Sequence, residues 1–141
     1  IRTLNNEIKI ETNHSGILKV SLILPGILGI TIQPFTTYSV AEEEISGLSE
    51  FLKSQDLSGF PLIIISDDTA FTSATINNFV WVTFTRSNPS HDIYGVNSFT
   101  QHKHWGCNGS LIIDARKKPH HAPELIIDKD VHQSVAKLLS F

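Results

Sequence analysis

The opening third of the chain carries the apolar patterns of β-strands. Residues 7–11 (EIKIE) alternate between polar and apolar, and residues 17–24, beyond a turn-forming stretch, are again rich in β-favouring residues. Pro25 and Gly26 end that run, and a third apolar stretch, 27–33, stops at a proline. We therefore predict a β-rich start in which a hairpin or adjacent strands form.

The spacing of apolar residues then changes to that of a helix. Ser39 and Glu42 have the spacing of a capping box, and consecutive glutamates at 42–44 favour the positive end of a helix dipole. Apolar residues recur along a single helical face, which is predicted to be buried. That face consists of Ala41, Ile45, Leu48 and Leu52.

A short uninterrupted apolar run at 62–65 predicts a central strand covered on both faces. The next stretch, 72–85, fits two structures. It could be a helix capped by Ser73, or a strand, because 79–85 has strong β propensity. In the helical alternative the inward residues would be Ile76, Phe79, Val80 and Phe84.

The last third has fewer periodic apolar residues. Residues 86–110 are rich in Gly, Asn, Ser and His and predict a long loop or two short extended pieces, after which 111–113 form a short strand ending at Asp114. Asp128 is predicted to cap a final helix with an apolar inner face. That inner face is Val131, Val135 and Leu138.

This order of strands and helices favours an α/β fold with helices on both faces of a mixed or mostly parallel sheet, with a compact α+β fold as the competitor. The size, 141 residues, suits a single domain with a real core. Hydrophobic residues at 40% and charged residues at 18% are typical of a globular protein.

Charge and cysteine content narrow the function classes. The net charge of −3 gives no electrostatic reason to expect nucleic acid or an anionic membrane as a partner. The most apolar run, 17–32, is interrupted by polar residues, so no transmembrane segment is predicted. Cys107 is the single cysteine and fits a reducing compartment. Because methionine is absent and the chain begins at Ile1, we expect a piece of a longer protein.

Charged residues at predicted strand and helix ends are the first candidates for a site. Asp67 and Asp68 follow the central strand, at the edge where open α/β sheets bind ligands. They could hold a hydroxyl, a cation or a basic side chain, or simply cap the next segment. Arg86 either complements a helix dipole or pairs with an acid such as Asp67 or Asp92.

Asp114 ends the last predicted strand, and basic residues at 116–118, including Lys118, follow it. Together with His120 and His121 they predict a small cationic patch suited to a carboxylate or phosphate, although a solvated turn explains them equally well. The sequence has no Gly-rich phosphate loop.

A zinc site is the alternative for the histidines. His102, His104 and Cys107 could supply three ligands, and His120 or His121 could complete the set. The presence of only one thiolate argues against this site, and loop histidines are common. Cys107 as a nucleophile beside a histidine is a further option, against which stands a simple packing role.

Three stretches resemble the C-terminal domain of the UbiD family of decarboxylases. They are FPLIIISDD (60–68), VWVTFTRSNPSHDIYGVN (80–97) and KHWGCNGSLIIDARKKPHHAPEL (103–125). A Thr-Arg-x-x-Pro-x-x-Asp pattern and an Ile-Asp-Ala element followed by basic residues carry the resemblance. The matching residues are Thr85, Arg86, Pro89 and Asp92, then Ile113, Asp114, Ala115 and Lys118.

The resemblance implies a single three-layer α/β/α domain, 1–141, and turns the ambiguous stretch into a helix. UbiD-type enzymes decarboxylate aromatic or α,β-unsaturated acids with prenylated FMN, a divalent metal (Mn or Mg) and potassium. In the family these groups and the catalytic residues belong mainly to an N-terminal split-barrel domain, which nothing here matches. We therefore expect this chain alone to carry no catalytic residue and no cofactor.

The family's C-terminal domain closes the substrate pocket and builds oligomer contacts. The resemblance implies those roles here, in a cytoplasmic enzyme of quinone (ubiquinone or menaquinone) biosynthesis, peripheral to the membrane if its substrate is prenylated. A free-standing, non-catalytic binding or assembly module is the alternative. If the chain has the family's role, the residues expected to line the pocket or to form its structural motifs are Asp67, Asp68, Arg86, Asp92, Asp114, Lys118, His120 and His121.

The match is incomplete at three places, one of which is 24–38, where the family's usual lysine-rich segment is not matched. Thr69, Ala70 and Phe71 stand where relatives carry a third acid and a valine after the paired aspartates, and Gly59-Phe60 stands where many carry a lysine. A basic contact from that edge of the domain is therefore not expected here.

Overall fold

The computed structural model describes residues 3–11, 16–121 and 137, so the predicted final helix from Asp128 lies outside the described residues. The elements follow one another as β1 (Lys19–Leu24), β2 (Ile27–Thr31), α1 (Tyr38–Leu52), β3 (Leu62–Ile65), α2 (Thr69–Ala74), α3 (Ile76–Thr85), β4 (Ile93–Gly95), β5 (Ser98–Gln101), β6 (His104–Cys107) and β7 (Leu111–Asp114). The described helices are not long and apolar enough to span a membrane.

The main sheet is mixed, as the sequence predicts, with the strand order β1-β2-β3-β7-β4. The pairs β2–β3 and β3–β7 are parallel, and the outer strands β1 and β4 run antiparallel to their neighbours. Strands β5 and β6 form a separate hairpin. Residues 86–110 thus contain short extended pieces, as one of the two predictions for them had it, but there are three strands, β4, β5 and β6, instead of a pair.

Helices cover the sheet on both faces and make three layers. Ile63 and Ile65 of β3 point to one face and pack in a core that includes Ile45 of α1. Ile64 points to the other face and packs with Val82 of α3. Each buried isoleucine contributes about 1.5–3 kcal/mol relative to exposure, so the run at 62–65 anchors both layers.

The first predicted strand is wrong. Residues 7–11 are not a strand, and the hairpin forms instead between β1 and β2 around Gly26, whose φ is +84°. The backbone near Asn5 bridges two turns: its N–H donates to the Gly59 carbonyl at 3.0 Å, and its carbonyl accepts from the Gly26 N–H at 2.8 Å. These bonds hold the segment just before 7–11 against turns, and within 7–11 the Glu11 N–H donates to the Gln55 side chain at 3.1 Å instead of to a neighbouring strand.

Helix α1 buries the predicted face, Ala41, Ile45, Leu48 and Leu52, but its cap is not Ser39. The Thr37 hydroxyl accepts from the Val40 N–H at 3.3 Å, and the Thr37 carbonyl accepts from the Ala41 N–H at 2.9 Å. Ser39 lies inside the first turn. The helix begins two residues earlier than the capping-box spacing predicts.

The ambiguous stretch forms two helices, α2 and α3, and Thr75 rather than Ser73 caps the second. The predicted inward face of α3 is wrong for three residues, because Ile76, Val80 and Phe84 are exposed. Val82 and Thr83 are buried instead, and Phe79 is partly buried against the core. Helix α3 contains no charged residue, so no charged face marks its orientation in the sequence.

The cap of α1 can be tested directly. Thr37→Ala should lower the free energy of unfolding by about 0.5–2 kcal/mol, because the Val40 N–H loses its acceptor. Ser39→Ala should change it by less than about 0.5 kcal/mol, as for an ordinary surface residue. Urea denaturation of both variants measures the difference, and an equal cost would contradict the assignment of Thr37.

Candidate functional site

The candidate site is the edge of the sheet at which β2, β3 and β7 end. Because these strands are parallel, their carboxyl ends meet at this edge, which we call the carboxyl edge. Strand β4 is antiparallel to β7 and therefore begins there, so Asp92 lies beside Asp114, whose N–H donates to the Asp92 carbonyl at 2.9 Å. The topology brings together acids that are distant in the sequence.

The first part of the edge is a buried ion pair between Asp114 and Arg116. The Arg116 guanidinium donates from Nε to Oδ1 at 2.9 Å and from Nη2 to Oδ2 at 2.8 Å, a two-pronged contact. Its remaining arm, Nη1, donates to Glu44 of α1 at 2.7 Å and to the Gln33 carbonyl at 2.8 Å. Arg116 thus ties β7 to α1 and to the segment after β2.

The second part is a buried pair between Lys118 and Asp92. The Lys118 ammonium lies 3.3 Å from Asp92 Oδ1, in ion-pair contact without hydrogen-bond geometry. It donates to the carbonyls of Asp114 at 2.8 Å, Arg86 at 3.1 Å and Arg116 at 3.2 Å. Asp92 Oδ2 accepts from the Asn88 N–H at 2.6 Å.

The paired aspartates after β3 have different partners. Asp68 caps α2 by accepting from the N–H groups of Ala70 at 2.9 Å and Phe71 at 3.1 Å, which is the local alternative predicted for it. Asp67 accepts from the Lys117 N–H at 2.8 Å and lies 3.5 Å from Arg86 Nη1. Of the two acids predicted as partners of Arg86, the structure pairs it with Asp67.

Aromatic rings and imidazoles cover this charged layer. Phe35 lies over both buried cations, with its ring centre 5.6 Å from the Arg116 guanidinium carbon and 5.4 Å from Lys118 Nζ. Its neighbour Tyr38 lies 5.1 Å from it, measured between ring centres. Tyr38 is also next to His91, at 5.4 Å, and His120, at 6.4 Å.

Burial and buried charges shift the protonation of groups near the edge. Burial, helped by Asp114 and Asp92, raises the pKa of Tyr94 from 10.0 to about 12. Burial lowers the pKa of His121, and the nearby His120 and Lys118 act in the same direction. His121 Nδ1 accepts from the Lys118 N–H at 3.2 Å, which is consistent with a neutral ring.

The arrangement corrects the predicted cationic patch. Arg116 and Lys118 are buried and occupied by carboxylates and carbonyls, so neither is available for a phosphate or for the carboxylate of a ligand. Arg116 and Lys118 therefore do not fit the phosphate of a flavin. The described residues also contain no group of three or more His, Cys, Asp and Glu side chains placed to hold a metal ion.

The zinc alternative can be judged on the same basis, because all five candidate ligands lie in the described part of the chain. These residues do not come together as a group that could hold a metal ion. His102 occupies the turn between β5 and β6 with a φ of +52°, and His104 and Cys107 lie on β6. The Cys107 thiol donates to the Gly109 carbonyl at 3.6 Å and packs against Gly95. His120 and His121 belong to the layer over the carboxyl edge instead.

Sequence reasoning missed three contributors to the site. Glu44 was assigned to the helix dipole, whereas it is a partner of Arg116. Phe35 and Tyr38 stand between predicted elements, where no periodicity indicates their role. The sequence did contain a signal for Glu44. It lies directly before Ile45, at the border of the buried face of α1, so its side chain can reach a group at the end of the sheet.

The amino-acid sequence is similar to known proteins over most of its length, although no family model matches the chain. It is 33% identical over 91 residues to a subunit of 4-hydroxybenzoate decarboxylase from Chlamydia pneumoniae, a match that covers 64% of this chain and 15% of that protein. It is 28% identical over 116 residues to an uncharacterized protein of Chlamydia trachomatis, covering 80% of this chain and 20% of that one. The chain thus spans a fifth or less of these relatives.

The fold is similar to that of solved UbiD-class enzymes. One is an evolved dimeric form of the enzyme HmfF of Pelotomaculum thermopropionicum in complex with prFMN, with a TM-score of 0.50, 17% identity, and coverage of 84% of this chain and 24% of that one. Another is the vanillic acid decarboxylase of Sedimentibacter hydroxybenzoicus in open form, with a TM-score of 0.51, 17% identity, and coverage of 89% and 29%. The family resemblance drawn from the sequence is confirmed.

The buried pair at Lys118 and Asp92 can be tested by breaking it. Lys118→Met should lower the free energy of unfolding by about 3–5 kcal/mol, because the Asp92 carboxylate stays buried without its cation. Adding Asp92→Asn should recover part of that loss, and Lys19→Met, at an exposed lysine, should cost less than about 0.5 kcal/mol. Chemical denaturation of the three variants measures this; no recovery in the double variant would contradict the pairing.

The raised pKa of Tyr94 predicts that the folded protein loses stability in alkali. The folded protein holds the phenolic proton more tightly than the unfolded chain, so the stability from this group is present below about pH 10 and is lost as the pH rises towards 12. Tyr94→Phe, which keeps the ring, should flatten this dependence. Free energies of unfolding measured between about pH 9 and pH 11 compare the two proteins, and parallel curves would refute the shift.

Proposed function

We propose that this chain, a domain of the UbiD family by sequence and fold, is the C-terminal substrate-pocket and oligomerisation domain of a decarboxylase for aromatic carboxylic acids. The remainder of the enzyme would be an N-terminal split-barrel domain that holds prenylated FMN, the divalent metal, potassium and the catalytic residues. A polyprenylated aromatic acid of quinone biosynthesis is the proposed natural substrate. The flavin carries the chemistry of decarboxylation when bound.

The carboxyl edge supports the pocket role. Two buried ion pairs hold the backbone there, and Phe35 and Tyr38 cover them with aromatic surface. Such a wall suits the ring of an aromatic acid and excludes water, while its charges are already neutralised. This domain would therefore shape and dry a pocket whose reacting groups come from elsewhere.

The observation that carries the proposal is an exposed apolar surface on α2 and α3, which we call the α3 face. Helix α3 contains no charged residue, yet much of it is exposed to solvent. Phe84 is the most exposed of these side chains, at 74%. Large exposed apolar patches mark interfaces. The face consists of Phe71, Ile76, Val80, Trp81 and Phe84.

A second copy of the chain is the proposed partner for the α3 face. In a two-fold dimer the same surface meets itself, so a charged face would bring like charges together. The α3 face avoids that conflict because α3 carries no charge. The dimeric form of HmfF among the structural neighbours is consistent with assembly in this family.

The α3 face is connected to the carboxyl edge. Trp81 packs edge-on against Phe71, and the Arg86 guanidinium lies 4.9 Å from the centre of the Trp81 ring. Arg86 in turn pairs with Asp67 at the end of β3. Assembly through the α3 face would thus hold Arg86, and with it the pocket wall, in place.

The experiment uses the complete enzyme supplied with prenylated FMN. Phe84→Asp should weaken self-association at least tenfold, because a charge enters an apolar interface, and Val40→Asp, at an exposed apolar residue of α1, should not. Light scattering during gel filtration measures the size, and carbon dioxide released from 4-hydroxybenzoate measures activity. We expect activity in the unchanged enzyme and a lower rate in Phe84→Asp.

Three results would overturn parts of this proposal. Unchanged assembly in Phe84→Asp would remove the α3 face as the interface. An assembled complete protein that releases no carbon dioxide from any aromatic acid tested would favour the alternative, a non-catalytic assembly module of the same fold. Turnover by residues 1–141 alone would contradict the division of labour between the two domains.

A further inference from the structure

Residues 118–121, which follow β7, form a turn that two hydrogen bonds close. The His121 N–H donates to the Lys118 carbonyl at 2.9 Å, and the Lys118 N–H donates to Nδ1 of the His121 ring at 3.2 Å. We call this segment the imidazole turn. A ring nitrogen of histidine accepts a hydrogen bond only while it carries no proton, because both ring nitrogens of the charged form are donors. The second bond therefore exists only while His121 is neutral.

The surroundings of the His121 ring oppose its protonation. Among the described residues, the charged and titratable groups that act on it are His120 and Lys118 of the turn, Arg86 at the end of α3, and Asp92 before β4. Only Asp92 favours the charged ring, and it is already in contact with Lys118 at 3.3 Å. Burial, together with the three basic neighbours, lowers the pKa of His121 from its ordinary value of 6.5.

The imidazole turn is connected to the carboxyl edge in two ways. The ring of His120 lies 4.7 Å from that of His121 and 6.4 Å from that of Tyr38 on α1, measured between ring centres. Lys118 begins the turn, and its buried ammonium contacts Asp92 beneath this layer of rings. A movement of the turn therefore affects both the rings that cover the edge and the ion pair below them.

We propose that the imidazole turn is a pH-sensitive switch of the carboxyl edge, closed while His121 is neutral and opened when His121 takes up a proton. Protonation removes the acceptor of the Lys118 N–H and adds a positive charge beside Lys118 and His120. Histidine clusters switch other proteins in the same way. Since the folded turn binds this proton less readily than the unfolded chain does, its stabilising effect is present above pH 6.5 and is lost as the pH falls below that value.

The test is hydrogen exchange of the Lys118 amide, followed by NMR of the isotope-labelled protein from about pH 7.5 to about pH 5, where carboxylates stay mostly ionised. Dividing each rate by that of an unstructured peptide of the same sequence removes the intrinsic effect of pH. We expect the protection of this amide to fall at least about fivefold as the pH is lowered, with the same midpoint as the titration of the His121 ring.

Two substitutions of His121 separate the hydrogen bond from the titration. His121→Asn offers an amide oxygen that can accept from the Lys118 N–H but does not titrate, so it should keep the protection and lose the pH dependence. His121→Phe offers no acceptor and should have low protection at every pH. His102→Asn is the matched control, because it removes a histidine from the β5–β6 turn at a φ of +52° that asparagine tolerates.

The control should retain the pH dependence of the unchanged protein. Protection of the Lys118 amide that does not vary with pH in the unchanged protein would overturn the proposal. A pH dependence that persists in His121→Asn would do the same, because it would show that another group controls the turn. So would a loss of the pH dependence in His102→Asn.

Discussion

The structure depends on two buried ion pairs, Asp114–Arg116 and Asp92–Lys118, at the edge where the parallel strands end. Burying such charges costs about as much as their attraction returns, so the pairs add little net stability. Removing a single partner would leave an isolated charge, which is far more costly. The pairs therefore act as a constraint: strands β4 and β7, helix α1 and the end of α3 all donate to or accept from these groups, and none can move without breaking a contact.

This constraint decides which chemistry the edge can perform. A general acid or a phosphate-binding cation must have a proton or a charge to offer, and here both cations are neutralised. What remains outward is an aromatic and imidazole layer around Tyr38. A wall of this kind suits the positioning and desolvation of a flat ring, which is what the proposed covering domain would supply in a decarboxylation whose chemistry the cofactor carries.

The sequence predicted the elements whose pattern is set locally. The apolar run at 62–65 is compatible only with a strand buried on both faces, and the apolar face of α1 only with a helix buried on one side. Both elements are present in the structure. Predictions failed where a long-range contact decides: Asn5, just before 7–11, bonds to turns, the Glu11 N–H donates to the Gln55 side chain, and α3 has no charged face to orient it. The sequence predicted which residues belong to the site, but it could not predict that Arg116 and Lys118 are buried. Lys118 meets Asp92 only because β4 returns antiparallel beside β7, and Arg116 meets Glu44 only because α1 packs against the end of β7.

The same topology links the surfaces of the domain. Arg86 ends α3, stacks on Trp81 and contacts Asp67, and its carbonyl accepts from the buried Lys118. A displacement of α3 would therefore pull on Lys118 and, through it, on Asp92 and β4. Close-packed interiors transmit such shifts instead of absorbing them. A partner pressed against the α3 face would fix the geometry of the carboxyl edge without touching it, which would give a physical reason for the proposed pocket and the proposed assembly surface to reside in one domain.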